Sequence, residues 1–443
     1  MEPSGACHNP VMAPPPSPGP SDVRGRLDEL KCARLRGLLG AILPHNRFYA
    51  AKLGPEPRDV VTLDDCAAWP FTFKEELVAA AAATGRPGNL TRPAAEYVRY
   101  HQTSGTRGRP LPVWDTSADW DWWMECWSAI LDRGGVQAGD RVFVASSFGP
   151  YAGFWSGFEA ALSRRAMAIP SGGMSTLARL ELIRGTGATV LVATPSYALH
   201  MAEVAADQKI DLAALPVRLV IVAGEPGGSI PAVRGRIAES WSATVLDHAG
   251  ATEVGPWGVG DPQGRGLHVI EPWFHPEFLA VDSGGPAAPG VLAELVLTTL
   301  GRAGAPVIRY RTGDLVRPRW PAAADVAAGA CPWVWLEGGI LGRTDDMVVV
   351  RGVNIFPGAI DGIVRSFPEI LEYRLTVATS ESLDTMTLEI EDRLDDPGRV
   401  AGELQIRLGL RVDVVAVPLG SLPRFEGKGR RIVDQRDPRR PAG

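Results

Sequence analysis

Arg218-Leu-Val-Ile-Val-Ala-Gly-Glu-Pro226 is a short apolar run that ends in a glycine, a carboxylate and a proline, and a helical pattern follows it from Pro231. A continuous apolar stretch of this length, bounded by turn residues, reads as a strand buried on both faces. The same arrangement occurs at Arg141-Val-Phe-Val-Ala145 and Thr189-Val-Leu-Val-Ala193, each running into Gly, Ser or Pro and then into a helical pattern. Strand, turn and helix in repetition predict an α/β fold with parallel strands, and functional loops in such folds lie at the carboxyl ends of the strands.

Helical spacing of Leu27, Leu30, Leu35, Leu38 and Leu39 predicts a helix over Val23–Leu43. A second is expected over Asp119–Leu131, where Trp120, Trp122, Trp123 and Trp127 read as packing residues, and a third through Val233, Ile237 and Trp241. The texture changes after Arg317. A Pro/Ala loop at 318–330 leads to strand (347–351), helix (357–367), two strands (373–379 and 385–392), helix (396–408) and strand (412–417). That is a compact β-α-β-β-α-β unit of the size of a small independent domain. The predicted organisation is a proline-rich disordered arm (1–20), a large multi-layer α/β body (21–342) and a small mobile α+β cap (343–443).

Composition narrows the function. The 443 residues carry 45 Lys+Arg against 51 Asp+Glu, a formal charge of −6, which excludes a protein whose main task is to coat nucleic acid. The five cysteines include no CxxC pair, so neither a disulfide framework nor a zinc-finger pattern is present. No apolar run is long enough to span a bilayer, and the N-terminus lacks the order of a signal peptide. A cytoplasmic enzyme without membrane or nucleic-acid partners is expected.

Five short segments carry the chemistry. Gln102-Thr-Ser-Gly-Thr-Arg-Gly-Arg-Pro110 alternates hydroxyl residues with glycine after a β-like stretch. Thr103, Ser104, Gly105, Thr106 and Gly108 can turn hydroxyls and backbone N–H groups toward one anion, with Arg107 and Arg109 adding charge; an ordinary hairpin turn is the competing reading. Asp247-His-Ala-Gly-Ala-Thr-Glu-Val-Gly255 brings Thr252 and Glu253 to one point, either as a carboxylate for Mg²⁺ beside phosphates or as a helix cap. In Ile308-Arg-Tyr-Arg-Thr-Gly-Asp-Leu315, Asp314 follows a turn glycine, placed to accept from ribose hydroxyls or simply to shape the turn. Gly342-Arg-Thr-Asp-Asp346 precedes Val350-Arg-Gly-Val-Asn-Ile-Phe-Pro357. Last, Pro423-Arg-Phe-Glu-Gly-Lys-Gly-Arg430 sets Lys428 between glycines, where a lone lysine is ordinarily a solvated charge.

In order and spacing these segments resemble the adenylate-forming superfamily, and within it the phenylacetate–coenzyme A ligase branch, over about residues 45–435. The resemblance implies roles. The loop through Arg109 is similar to the phosphate loop. Gly224, Glu225 and Pro226 look like the segment lining the adenine pocket. His248 and Ala249 open the motif that ends in the metal-binding Glu253, and His248 would lie near the adenine and the acyl group. Asp314 and Arg343 match the ribose-binding pair, Asp345 the hinge, and Arg351, Gly352 and Asn354 the loop that meets the acceptor thiol. Lys428 matches the catalytic lysine.

The implied reaction has two steps: a carboxylate attacks the α-phosphate of Mg·ATP, and the thiol of coenzyme A then displaces AMP, with the cap swinging between steps. The acid would lie against Phe148, Tyr151, Phe154 and Gly173, which suits an aromatic carboxylic acid. Relatives also suggest other chemistries: nitrite activated for an aryl amine in antibiotic pathways, or loading of a carrier-protein thiol. A non-catalytic nucleotide-binding protein is a further alternative. Dimers are common among relatives. Three departures stand out, one being His248 in place of the tyrosine usual before the metal glutamate. The family's loop often ends in a lysine, where Arg109 stands here, and only Cys331 remains of a Cys/His cluster, so no zinc is expected.

Overall fold

The computed structural model describes residues 20–55, 60–103, 109–344, 348–350, 353–355, 357–380, 383–408, 411–424 and 431–436. The arm up to residue 19, Ser104 to Gly108, the hinge Asp345, Arg351, Gly352 and Lys428 lie outside them.

A nine-stranded sheet runs through the body. Its parallel part has the order Thr244–Ala251, Leu219–Val222, Val190–Ala193, Arg141–Val144 and Met167–Pro170. Alternate residues of these strands feed two separate cores. Val142, Val144, Val190, Val192, Leu219 and Ile221 pack beneath helices Ser117–Arg133 and Ala152–Ser163, together with Trp120, Trp123 and Trp127. Phe143, Leu191, Val220 and Val222 face the opposite layer, formed by Thr176–Thr186, Pro195–Asp207 and Pro231–Trp241. The apolar runs that predict these strands are continuous because both faces are covered. Beyond Thr244–Ala251 the sheet turns antiparallel through Gly255–Gly260 and Gly266–Val269.

A second, antiparallel sheet joins Phe274–Ala280, Ala293–Thr299, Tyr310–Val316 and Gly342–Arg343. The N-terminal helix is observed over Pro20–Ile42. It is fastened to the body by the fully buried Glu271, which accepts from Arg24 Nη2 at 2.8 Å, Lys31 Nζ at 2.9 Å and the Val334 N–H at 2.7 Å. Burial opposes ionisation of Glu271, yet the two cations hold its pKa below the ordinary range.

The C-terminal unit is a four-stranded sheet in the order Asp413–Ala416, Leu383–Asp392, Ile370–Ser380 and Ile432–Asp434, with helices Pro357–Val364 and Pro397–Leu408. The strand at Ile432–Asp434 is absent from the sequence reading; three residues are too few to show a periodicity. Short strands Val348–Val350 and Val353–Ile355 form a hairpin. Among the described residues no helix is long and apolar enough to cross a membrane.

Candidate active site

Glu253 sits where the first sheet hands over to its antiparallel part, and it is 8% exposed. Its Oε1 accepts from Lys74 Nζ at 3.0 Å and from the Tyr310 hydroxyl at 2.9 Å. Burial alone would raise the carboxyl; Lys74 and the hydrogen bonds outweigh it and hold the pKa below the ordinary glutamate value. Lys74 opens the helix Lys74–Thr84, and Thr72, two residues earlier, is stitched to the second sheet: its N–H donates to Arg309 O at 2.9 Å and the Arg311 N–H donates to Thr72 O at 3.0 Å. Beneath Glu253, Arg302 and Asp115 form an ion pair with both side chains 0% exposed. Arg302 Nη1 also donates to the Glu253 backbone carbonyl at 2.9 Å, so a buried cation fixes the main chain that carries the carboxylate.

Asp314 and Arg343 face each other across adjacent strands, and Arg343 Nη1 donates to Asp314 Oδ1 at 2.8 Å. Gly313 between them adopts φ +76°, and a Cβ there would lie 3.0 Å from Arg343 Nη2, so glycine is what lets the guanidinium close over the strand. A cavity of about 460 Å³ opens beside this pair. Lys74, Tyr310, Arg311, Gly313 and Arg343 are among the residues on its wall; Lys74 and Tyr310 bond Glu253, and Arg343 bonds Asp314.

The segment after Leu219–Val222 turns at Gly224, φ +92°. Glu225 Oε1 accepts the Ser196 N–H at 2.7 Å, at the start of the next helix over, and Oε2 faces Arg431 of the C-terminal unit at 3.5 Å. His248 is buried against Trp127, ring centroids 4.6 Å apart, and its Nδ1 donates to Gly258 O at 2.8 Å. Desolvation pushes the His248 imidazole down to about 4, so it is neutral at neutral pH. Asp247, one residue earlier, accepts from the Ser229 hydroxyl, and desolvation pushes its carboxyl up to about 6. Gly228 packs so near that a Cβ there would lie 2.5 Å from the Asp247 carboxyl carbon.

Of the remaining predicted residues, Thr103 is buried, with its hydroxyl accepting the Leu111 N–H at 3.0 Å. Arg109 is exposed, Ala249 is buried and Thr252 is half-buried. Phe148 takes the unusual φ of +52° and packs edge-on against Trp155 and Phe158. Phe154 is half-buried against the same core, while Tyr151 is 44% exposed and Gly173 lies in an exposed turn with φ +75°. Among the described residues no group of three or more His, Cys, Asp or Glu side chains is arranged to hold a metal ion.

Three residues escape the sequence reading. Lys74 has no motif around it, since Phe-Lys-Glu-Glu reads as a helix start. Tyr310 lies inside a quoted segment but is chemically silent until its hydroxyl is seen on Glu253. Arg302 is an isolated arginine in sequence and wholly buried in the fold.

A multi-layer α/β body, a small C-terminal unit, a paired Asp–Arg at a strand junction and a buried ionised glutamate together define an adenylate-forming enzyme. Known proteins agree. The C-terminal domain of AMP-binding enzymes matches residues 352–436. Phenylacetate–coenzyme A ligase of Pseudomonas putida is 32% identical over 410 residues, covering 89% of this chain and 90% of the relative. The phenylacetate–coenzyme A ligase of Escherichia coli (strain K12) is 30% identical, covering 93% and 95%. Among solved structures, 2-hydroxyisobutyryl-CoA ligase in the postadenylation state superposes with a TM-score of 0.84 at 26% identity, covering 97% of this chain and 96% of that one. The same ligase in its thioesterification state gives 0.68 at the same coverage, so the overall arrangement of this chain follows the postadenylation one. The chain belongs to the adenylate-forming enzymes, in their phenylacetate–coenzyme A ligase branch. It is an ATP-dependent ligase of the AMP-forming type.

Proposed function

We propose that this chain joins an aromatic carboxylic acid to coenzyme A. In the first step a carboxylate oxygen of the acid bonds to the α-phosphorus of ATP. The bond from that phosphorus to the bridging oxygen breaks, and pyrophosphate leaves. In the second step the thiol sulfur of coenzyme A bonds to the acyl carbon, the acyl carbon–oxygen bond breaks, and AMP leaves; the thiol gives up its proton.

The observation that carries the reading is that one cavity is lined both by Lys74 and Tyr310, which bond Glu253, and by Arg343, which bonds Asp314. On this reading Asp314 and Arg343 hold the ribose, and Gly224, Glu225 and Pro226 line the adenine. Phe148, Tyr151, Phe154 and Gly173 enclose the acid, and Arg109 with Thr103 and the residues between them binds phosphate. Glu253 suits a hard cation, being buried, ionised and bonded by described side chains only through Oε1, so it would hold the Mg²⁺ that offsets phosphate charge. Lys428 supplies positive charge to the pentavalent phosphorus of the first step. The acceptor loop of Arg351, Gly352 and Asn354 serves the second, after rotation about Asp345 of a cap spanning 343–443 against a body spanning 21–342. No structural zinc enters this reading.

Acid-dependent exchange of pyrophosphate into ATP, run over a panel of aryl and arylalkanoic acids, tests the first step, and mass detection of the thioester tests the second. Exchange with at least one aromatic acid and thioester formation with coenzyme A are expected. A pure, folded protein that exchanges with no acid overturns the proposal.

A further inference from the structure

Glu225 belongs to the segment proposed to line the adenine, yet its carboxylate is engaged elsewhere. One oxygen is fixed on the body by the Ser196 N–H, and the other meets Arg431 at 3.5 Å. Arg431 is rooted in the C-terminal unit. Its Nε and Nη2 donate to Glu372 at 2.6 and 3.0 Å, and its backbone carbonyl accepts the Leu375 N–H at 2.8 Å, where the last strand joins the sheet. The side chains of Arg431, Glu225 and Glu372 are 10%, 7% and 5% exposed, so these charges meet away from bulk water, where screening is weak.

The two links are unequal. The pair with Glu372 is short and two-pronged, whereas the pair with Glu225 is a single contact at the long end of the range. Arg365 gives Glu372 a second cation at 3.4 Å. Separating the two units therefore leaves Arg431 satisfied on its own side and Glu225 still bonded to Ser196. A joint of this kind can open and close without stranding a buried charge.

We propose that Arg431 is a positioning residue for the adenylation step, tying the adenine segment to the C-terminal unit so that nucleotide binding and the placement of that unit are coupled. The proposal rests on the two-step reading above and goes beyond it by naming a contact through which the units sense each other. Coupling of this kind is reciprocal: whatever Arg431 adds to docking of the unit, docking adds to nucleotide affinity.

The test uses the full chain and the variants R431M, R431K, E225Q and R431M/E225Q. Three quantities are measured: AMP affinity by calorimetry, acid-dependent pyrophosphate exchange, and thioester formation from a chemically prepared acyl adenylate. R431M and E225Q should each weaken AMP binding and exchange about tenfold, the double variant should lose no more than R431M alone, and R431K should fall in between. In R431M the thioester step from supplied adenylate should stay within about twofold. Additive losses in the double variant, a parallel fall of both half-reactions with a lower melting temperature, or unchanged AMP affinity each overturn the coupling. A wild-type protein that binds AMP but exchanges with no acid sinks the ligase reading alone, because the AMP arm still reads the coupling.

Discussion

Replacing Arg302 by methionine probes the buried pair beneath Glu253. The substitution keeps most of the volume and removes the charge. Asp115 then loses contacts at 2.6 and 2.7 Å and is left in a site with 0% side-chain exposure. Breaking a buried pair by removing one partner costs about 3–5 kcal/mol, and complete burial places this one within that range. The loss must depend on pH. Burial already raises the Asp115 carboxyl despite Arg302, and without the guanidinium it rises further. An acid whose folded pKa is raised is best tolerated when protonated, so the deficit of R302M is small in acid and grows as pH rises through the folded value. Urea unfolding followed by tryptophan fluorescence suits the question, because Trp123 lies 5.5 Å from the guanidinium. Run at pH 5.5 and pH 8 against the wild type, it should show the full deficit only at the higher pH. Substituting Asp115 by asparagine as well should recover much of it, since a neutral pair strands no charge. A loss below about 1 kcal/mol at pH 8, or a deficit that shrinks with rising pH, refutes the reasoning.

Other outcomes follow from the same site. E253Q should lower pyrophosphate exchange by about 10²–10³ and raise the Mg²⁺ requirement, while its melting temperature stays near the wild type, because half-exposed Lys74 can turn to solvent; retained exchange at ordinary Mg²⁺ contradicts the role given to Glu253. K428A should abolish adenylation and leave AMP binding in place, read by the exchange assay beside calorimetry, and loss of AMP binding would point to a different role. D247N should be more stable than the wild type above pH 6 and indistinguishable near pH 4. The raised Asp247 carboxyl makes wild-type stability decline as pH climbs through about 6, so a pH-independent difference in thermal melts would count against that assignment.

The strands at the centre of the body are legible because each is a local apolar run covered on both faces. Helices are nearly as legible, with ends that shift by a few residues: Pro20–Ile42 for the expected Val23–Leu43, and Ser117–Arg133 for Asp119–Leu131. Asp314 and Arg343 announce themselves because each lies in a compact segment of turn and charged residues, and their pairing is then a matter of strand register. Contacts without a local pattern stay hidden. Lys74 and Glu253 are 179 residues apart, and Glu225 and Arg431 are 206 apart. Nothing near Lys74 or Arg431 distinguishes it from a solvated charge; only the fold brings each to its carboxylate, and only burial gives the pair weight.

The fastening of the first helix has a consequence for how the chain is made. Lys31 is almost wholly enclosed, and its carboxylate partner Glu271 is synthesised 240 residues later. At about 5–20 residues per second, the helix waits roughly 12–48 s for that partner. Until then Lys31 has only Asp28 of its own helix as a carboxylate partner, while Leu35, Leu38 and Leu39 can already pack against Tyr49, Leu53, Cys66 and Trp69. The helix is therefore seated in two stages, its apolar face first and its buried lysine only after residue 271 has been translated.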